Sequence, residues 1–275
     1  MMPSSAGRVA VVTGSNKGIG YFIALQLGLS GLYQDVILAC RDRGRAESAR
    51  QSIQVQVPSS VKIHQAELLV GSEQQQFGEF VSYLETTFGK VDCLVNNAAI
   101  AFKNADPTPF QEQTKPTLDV NFRGTMALTE AILPLLKKGT DPRVVNVASM
   151  AGKLSQVSEQ LQTQFSSPTL TMPALNILVN KFETAVREGN HRERGFGGSN
   201  YGMSKLAVIA GTKVLAREHP EIAINCCCPG YCKTDMTSQK GLRDPADGAR
   251  NAVIPATMDN PPHGAYVADY VESQW

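Results

Sequence analysis

Two kinds of apolar patterning alternate along the chain. Short uninterrupted runs of β-branched and small apolar residues have the composition of strands buried on both faces. They predict strands over Arg8–Thr13, Val36–Cys40, Val61–Ala66, Val91–Val95, Arg143–Ala148 and Ile222–Cys227, with a short last one near Tyr266. Between them lie stretches predicted as helices, over Ile19–Leu29, Arg45–Gln56, Glu73–Phe88, Pro116–Leu136 and Tyr201–Glu218. In the third, Phe77, Phe80, Val81 and Leu84 keep helical spacings of three and four, and Gly89-Lys90 ends it by C-cap chemistry. Pro58-Ser59-Ser60 marks a turn, and a loop holding Pro107 and Pro109 leads into the long helix. Strand–helix alternation of this kind implies an α/β fold, a single doubly wound parallel sheet with helices on both faces. No repeat, low-complexity segment or linker divides the chain, so one domain over residues 1–275 is expected.

A helical insertion at about 153–199 precedes the helix that begins at Tyr201. Gln156–Phe165 and Ala174–Glu188 read as two extra helices, with Leu175, Leu178, Val179 and Phe182 on one apolar face. Residues 187–194 are polar and form a turn or loop.

The first strand runs into Thr13-Gly14-Ser15-Asn16-Lys17-Gly18-Ile19-Gly20 and then an apolar helical run. Strand, glycine turn and helix make a phosphate cradle of the Rossmann type. The glycines let backbone approach a pyrophosphate, and the helix N-terminus aims unpaired N–H groups at it. An ordinary tight turn is the competing reading of the motif alone. Charge at the end of the second strand decides the nucleotide. An NAD site wants an acid there for the ribose 2′-hydroxyl. Here the strand ends Leu38-Ala39-Cys40-Arg41-Asp42, with Arg45 close behind and Lys17 in the glycine loop. Three cations around one pocket suit a 2′-phosphate, hence NADP(H). The competing reading leaves Arg41 and Arg45 merely solvated, and Asp42 sits two residues past the acid position.

Composition narrows the classes. The chain has 275 residues, 42% hydrophobic and 19% charged, the balance of an ordinary globular protein. A net charge of +1 offers nothing to nucleic acid or an anionic membrane. No apolar run is long enough to span a bilayer, and Met1–Ala6 lacks the pattern of a signal peptide. The six cysteines (40, 93, 226, 227, 228 and 232) form neither a disulfide framework nor metal-ligand spacing, and the four histidines are scattered. No metal is expected. Reduced thiols point to the cytoplasm, and the Cys226–Cys228 run reads as small apolar packing.

Candidate reacting groups lie further on. In Tyr201-Gly202-Met203-Ser204-Lys205 a phenol and an ammonium share one helix face. A neighbouring cation favours phenolate and draws its pKa from about 10 towards the working range. Tyr-x-x-x-Lys alone usually means a surface pair. Ser149 follows the fifth strand, at the sheet edge where ligands bind in this architecture, and its hydroxyl can donate to a carbonyl oxygen. Asn121 lies inside the long helix, where an amide is a poor helix former, and is free to bond a water or a backbone group.

Together with Asn96-Asn97-Ala98-Ala99 and Pro229-Gly230, these residues resemble the short-chain dehydrogenase/reductases. Residues 100–110, Cys227–Met236 and Val271–Trp275 bring the chain closer to the monomeric NADPH-dependent carbonyl reductases. The resemblance covers nearly the whole chain. It implies reduction of aldehydes, ketones or quinones to alcohols, with Tyr201 as proton donor. Lys205 lowers its pKa and binds the nicotinamide ribose, Ser149 orients the carbonyl, and Asn121 completes a proton relay. The cofactor contacts it implies are Gly14, Asn16, Lys17, Gly18, Ile19, Gly20, Arg41, Arg45, Glu67, Leu68, Asn97, Tyr201 and Lys205, with Cys232, Lys233 and Thr234 covering the cofactor. Phe102, Lys103, Asn104, Gln113, Ser149 and Tyr231 would face the small carbonyl substrate or a glutathione conjugate. Two positions depart from the family pattern. Ala99 replaces a glycine beside the cofactor, and Glu67 replaces the usual Asp near adenine. The amphipathic insertion predicts a monomer, because it would cover the face that most relatives use for subunit contact. A dedicated steroid or metabolite dehydrogenase of the same family, or a catalytically silent NADP-binding regulator, stays open on sequence alone.

Overall fold

The computed structural model describes residues 7–71, 77–103 and 105–275. Seven parallel strands and one antiparallel strand form a single sheet in the order β3-β2-β1-β4-β5-β6-β7-β8. They are β1 (Val9–Thr13), β2 (Asp35–Cys40), β3 (Lys62–Glu67), β4 (Cys93–Asn96), β5 (Arg143–Val147), β6 (Ala223–Cys228), β7 (Tyr266–Ala268) and β8 (Val271–Glu272). The central strands are buried on both faces, and alternate residues feed separate cores. Val9 and Val11 of β1 pack on one side, Ala10 and Val12 on the other.

Helices α1 (Gly18–Leu29), α2 (Arg43–Gln54) and α9 (Pro245–Thr257) cover one face. Helices α3 (Gly78–Phe88), α5 (Gly124–Leu136), α7 (Met172–Arg187) and α8 (Asn200–Glu218) cover the other. The sheet reverses its winding at β1, which lies between β2 and β4. That switch point is where an open α/β sheet receives ligands at its carboxyl edge.

Several elements differ from the sequence expectation. The long helix begins at Phe110 instead of Pro116: α4 spans Phe110–Leu118 with Pro116 inside it, and Pro109 is the cap. A proline can start a helix, but here Thr114 and Thr117 donate hydroxyls back to Phe110 and Gln113 and hold the turn around it. A π-helical turn, Asp119–Arg123, joins α4 to α5. Of the predicted Glu73–Phe88 helix, residues 73–76 lie outside the described residues. The first insertion helix, α6, starts at Glu159, because Gln156 belongs to a 3₁₀ turn. Helix α9 was not expected. Its buried face is Gly248, Ala249, Ala252 and Ala256, too small to write an apolar period, though Asp244 caps it and Pro245 opens it. Strand β8 was also missed.

The insertion is integral to the packing. Leu175, Leu178, Val179 and Phe182 of α7 are all buried. Arg123 at the π turn ties α7 down through Asn180 at 2.8 Å and Glu183 at 2.7 Å. Phe182, with no exposed surface, packs against Phe196 and the edge of His191. Phe182→Ala is expected to cost about 3–5 kcal/mol in urea unfolding and to leave one cooperative transition. A negligible loss, or a separate early transition, would mean that the insertion is an independent appendage.

Candidate active site

The glycine turn closes around backbone that leaves no room for side chains. Gly14 has φ +63°, and a Cβ there would lie 2.9 Å from Ala98 Cα. A Cβ on Gly20 would fall 2.4 Å from Asn97 Nδ2 and 2.5 Å from the Gly14 oxygen. Asn97 and Thr13 hold this arrangement together. The Asn97 amide donates to the Thr13 and Gly14 oxygens, while Thr13 Oγ1 accepts from the Asn97 and Ala98 N–H groups. Helix α1 starts with Lys17 as an N-cap that makes no side-chain cap bond, and its first residues border a cavity of about 480 Å³.

Gly14, Asn16, Gly18, Ile19 and Gly20 line the cavity, as do Asn97 and Ala99. Three cations line it too: Lys17, Arg41 and Lys233. Thr234 lies over Gly18. Arg45 is not in the lining; it pairs at 3.3 Å with Asp42, the residue that caps α2. Leu68 lines the cavity and Glu67 does not, because successive side chains at a strand end point to opposite faces. Glu67 instead borders a separate depression with Arg43 and Glu79. Cys232 is buried below the covering segment, its Sγ donating to the Pro229 oxygen. A carboxylate that no sequence pattern announced sits in the same cavity. Asp235 meets Lys17 at 2.6 Å, and that pairing, with Gln239 and Lys103 nearby, holds its carboxyl below the usual range.

None of the four candidate reacting groups lines this cavity, and Asn121 adjoins it through Ile100. The π turn buries Asn121, whose Oδ1 accepts from the N–H of Ile100, a lining residue. Its amide donates to the Ile100 oxygen at 2.9 Å and to Ser204 Oγ at 3.0 Å. Ser204, which sequence reasoning passed over, donates in turn to the Tyr201 carbonyl. Asn121 is therefore a backbone clamp between the loop after β4 and α8. Ser149 N-caps the 3₁₀ turn Met150–Gly152, accepting from the Ala151 N–H. Lys205 is 3% exposed and donates to the Val147 oxygen at 2.7 Å, with its Nζ 5.6 Å from the Tyr201 ring centre.

Burial dominates the electrostatics. It pushes Tyr201 up to about 12, while the neighbouring Ser149 hydroxyl pulls the other way. Burial likewise pushes Lys205 down to about 8. Burial outweighs the influences that lower the tyrosine, so the phenol lies above its usual range and not below it. Cys226 and Cys228 belong to one core and Cys227 to the other. Burial raises Cys226 to about 12 and raises Cys227 as well, so both are packed thiols.

Among the substrate candidates, Phe102 is half-buried and Lys103 exposed. The Gln113 amide is taken by the Thr108 oxygen at 2.7 Å. Tyr231 is half exposed, and Asn104 lies outside the described residues.

Because burial holds Lys205 below its ordinary value, the fold is penalised while that lysine is charged. The penalty fades as pH rises from about 8 towards the unfolded value near 10.4. Lys205→Met should stabilise the protein at pH 7 by about 1–2 kcal/mol, after allowing for the lost bond to Val147. Thermal unfolding from pH 7 to 10 should show the gap closing as pH rises, and a less stable variant at pH 7 would contradict this account.

The chain matches the short chain dehydrogenase family over residues 8–161 and 188–244. The unmatched stretch between them contains α7. Carbonyl reductase (NADPH) 1 of Sus scrofa is 38% identical over 284 residues, covering 99% of this chain and 96% of that protein. Carbonyl reductase (NADPH) 3 of Rattus norvegicus is 39% identical over 285 residues, covering 99% of this chain and all of that one. Among solved structures, salutaridine reductase from Papaver somniferum superposes with a TM-score of 0.85 at 29% identity, covering 95% of this chain and 99% of the other. Glycine cradle, sheet order and matched length agree, and the chain belongs to the short chain dehydrogenase family.

Proposed function

We propose that this protein reduces aldehydes, ketones or quinones to alcohols with NADPH, and that Tyr201 delivers the proton. The carbonyl reductases to which it is similar are named for NADPH. The cavity suits that cofactor: a glycine turn too closely packed for a Cβ at Gly14 or Gly20, the N-terminus of a helix at its edge, and three cations for phosphate. Lys17 and Arg41 are the residues we assign to the 2′-phosphate, with Lys233 and Thr234 covering the cofactor. When bound, the nicotinamide supplies hydride.

The observation that carries the reading is that Tyr201 has the Ser149 hydroxyl as one neighbour and the Lys205 ammonium, 5.6 Å from its ring centre, as another. Tyr201 remains protonated at neutral pH, so it has a proton to give as negative charge grows on the carbonyl oxygen. Ser149 bonds the same oxygen, and both bonds strengthen as the charge develops. Lys205 is largely charged at pH 7 and sits against the ring as the phenol becomes phenolate. Asn121 acts by position, joining the Ile100 loop to the helix that holds Tyr201. Phe102, Lys103 and Tyr231 are the side chains we assign to the carbonyl compound or to a glutathione conjugate of it.

We also propose a cytoplasmic monomer. Among the described residues all six cysteines are free and buried, and no helix is long and apolar enough to cross a membrane. Helix α7 lies against α4 and α8, on the face that would otherwise be open to a second subunit. Light scattering on the eluted protein should give one chain's mass, 29.7 kDa, and a stable dimer or tetramer would end that part of the proposal.

Loss of NADPH absorbance with aromatic aldehydes and quinones tests the activity. Tyr201→Phe should lower kcat by roughly 10²–10⁴-fold with NADPH affinity unchanged. Retained turnover in that variant would refute the mechanism.

A further inference from the structure

We propose that Trp275 is a positioning residue for Ser149, holding by its indole N–H the turn that carries the serine. The inference rests on the assignment of Ser149 and Tyr201 made above. Ser149 opens the turn Met150–Gly152, and that turn lies flush on α8. A Cβ on Gly152 would fall 2.7 Å from the Lys205 carbonyl carbon and 2.9 Å from its oxygen. Backbone contact thus fixes the height of the turn above α8. Contact of this kind does not stop the turn from sliding along the helix.

Hydrogen bonds from outside the turn do. The Met150 N–H donates to Cys228 Sγ at 3.1 Å, and Gln156 Nε2 donates to the Ala151 oxygen at 2.7 Å. At the far end, Trp275 Nε1 donates to the Gly152 oxygen at 2.7 Å. The indole is itself held. Lys213 of α8 places its ammonium 5.9 Å from the ring centre while donating to the Gly264 oxygen, and the Ser273 N–H bonds the Tyr266 oxygen. Helix α8 therefore steadies the tryptophan, which steadies the serine turn against the same helix. Tyr201 and Lys205 ride on α8, so this loop of contacts sets Ser149 relative to Tyr201.

Trp275 is the only tryptophan, so its indole gives a single unambiguous ¹⁵N–¹H signal. The test measures kcat and KM for wild type, Trp275→Phe, Ser149→Ala and the double variant. Trp275→Phe keeps an aromatic ring and loses the N–H. It should lower kcat by about 3–30-fold with KM for NADPH unchanged. Trp275→His, which keeps a ring N–H, should recover part of the loss. In the double variant the Trp275 effect should vanish, because there is no serine left to position. The proposal is overturned if Trp275→Phe leaves kcat unchanged, or if its loss simply adds to that of Ser149→Ala. Full activity in Ser149→Ala would overturn the site assignment beneath it, a distinguishable failure. Should Trp275→Phe not fold, the wild-type indole signal decides. It must shift on Ser149→Ala, and an unmoved signal counts against the coupling.

Discussion

A lysine ammonium removed from water and given one carbonyl is costly, and this molecule is arranged around one. Lys205 lies between α8 and the end of β5, where the Val147 oxygen is its only recorded hydrogen-bond partner among the described residues. The cost comes from the enclosure of α8. The helix is buried along nearly its whole length, with the sheet on one side and other helices on the rest. A helix of that kind cannot present a polar stripe to solvent, so its polar groups must be satisfied internally. Asn200 bonds Thr114 and the Phe110 oxygen, Ser204 bonds Asn121 and the Tyr201 oxygen, and Thr212 bonds Asn146. The Ser204 bonds also tie Asn121 to the turn of α8 that carries Tyr201.

The cofactor end obeys a different constraint, which is close approach. Thr13 and Asn97 fasten the glycine turn to the loop after β4, so backbone from two strands meets at the sheet's switch point. Ala99 lines the resulting cavity without blocking it. Charge there is balanced as well as accumulated. Lys17 is held by Asp235 from the covering segment, so a phosphate must compete with a carboxylate for it. Both partners are more than half exposed, which keeps that competition weak.

Much of this was legible in the sequence. The central strands were, because burial on both faces writes an uninterrupted apolar run. The glycine turn and Tyr201-x-x-x-Lys205 were too, because their chemistry demands fixed local spacing. Helix α9 was hidden by its small residues, and the start of α4 by a proline that is a start signal elsewhere. Arg45 and Glu67 show the limit of reasoning by position. Each is one helix turn or one strand step from the cavity, and a local partner or the alternation of the strand sends it elsewhere. Pairings between distant segments were not legible at all. Lys17 and Asp235 are 218 positions apart, and Trp275 and Gly152 are 123 apart, with no period or motif joining them.

The stretch outside the family match lies within the alignment with the carbonyl reductases, which covers 99% of this chain. Helix α7 falls within it, and α7 packs against both α4 and α8. By closing that side it helps keep water from the helix that carries Lys205 and Tyr201. Desolvation is the leading cause of both of their pKa displacements, upward for the phenol and downward for the ammonium. Burial of α8 is thus what keeps the phenol protonated and lowers the lysine, and the apolar residues that α7 displays every third and fourth position are one part of that enclosure.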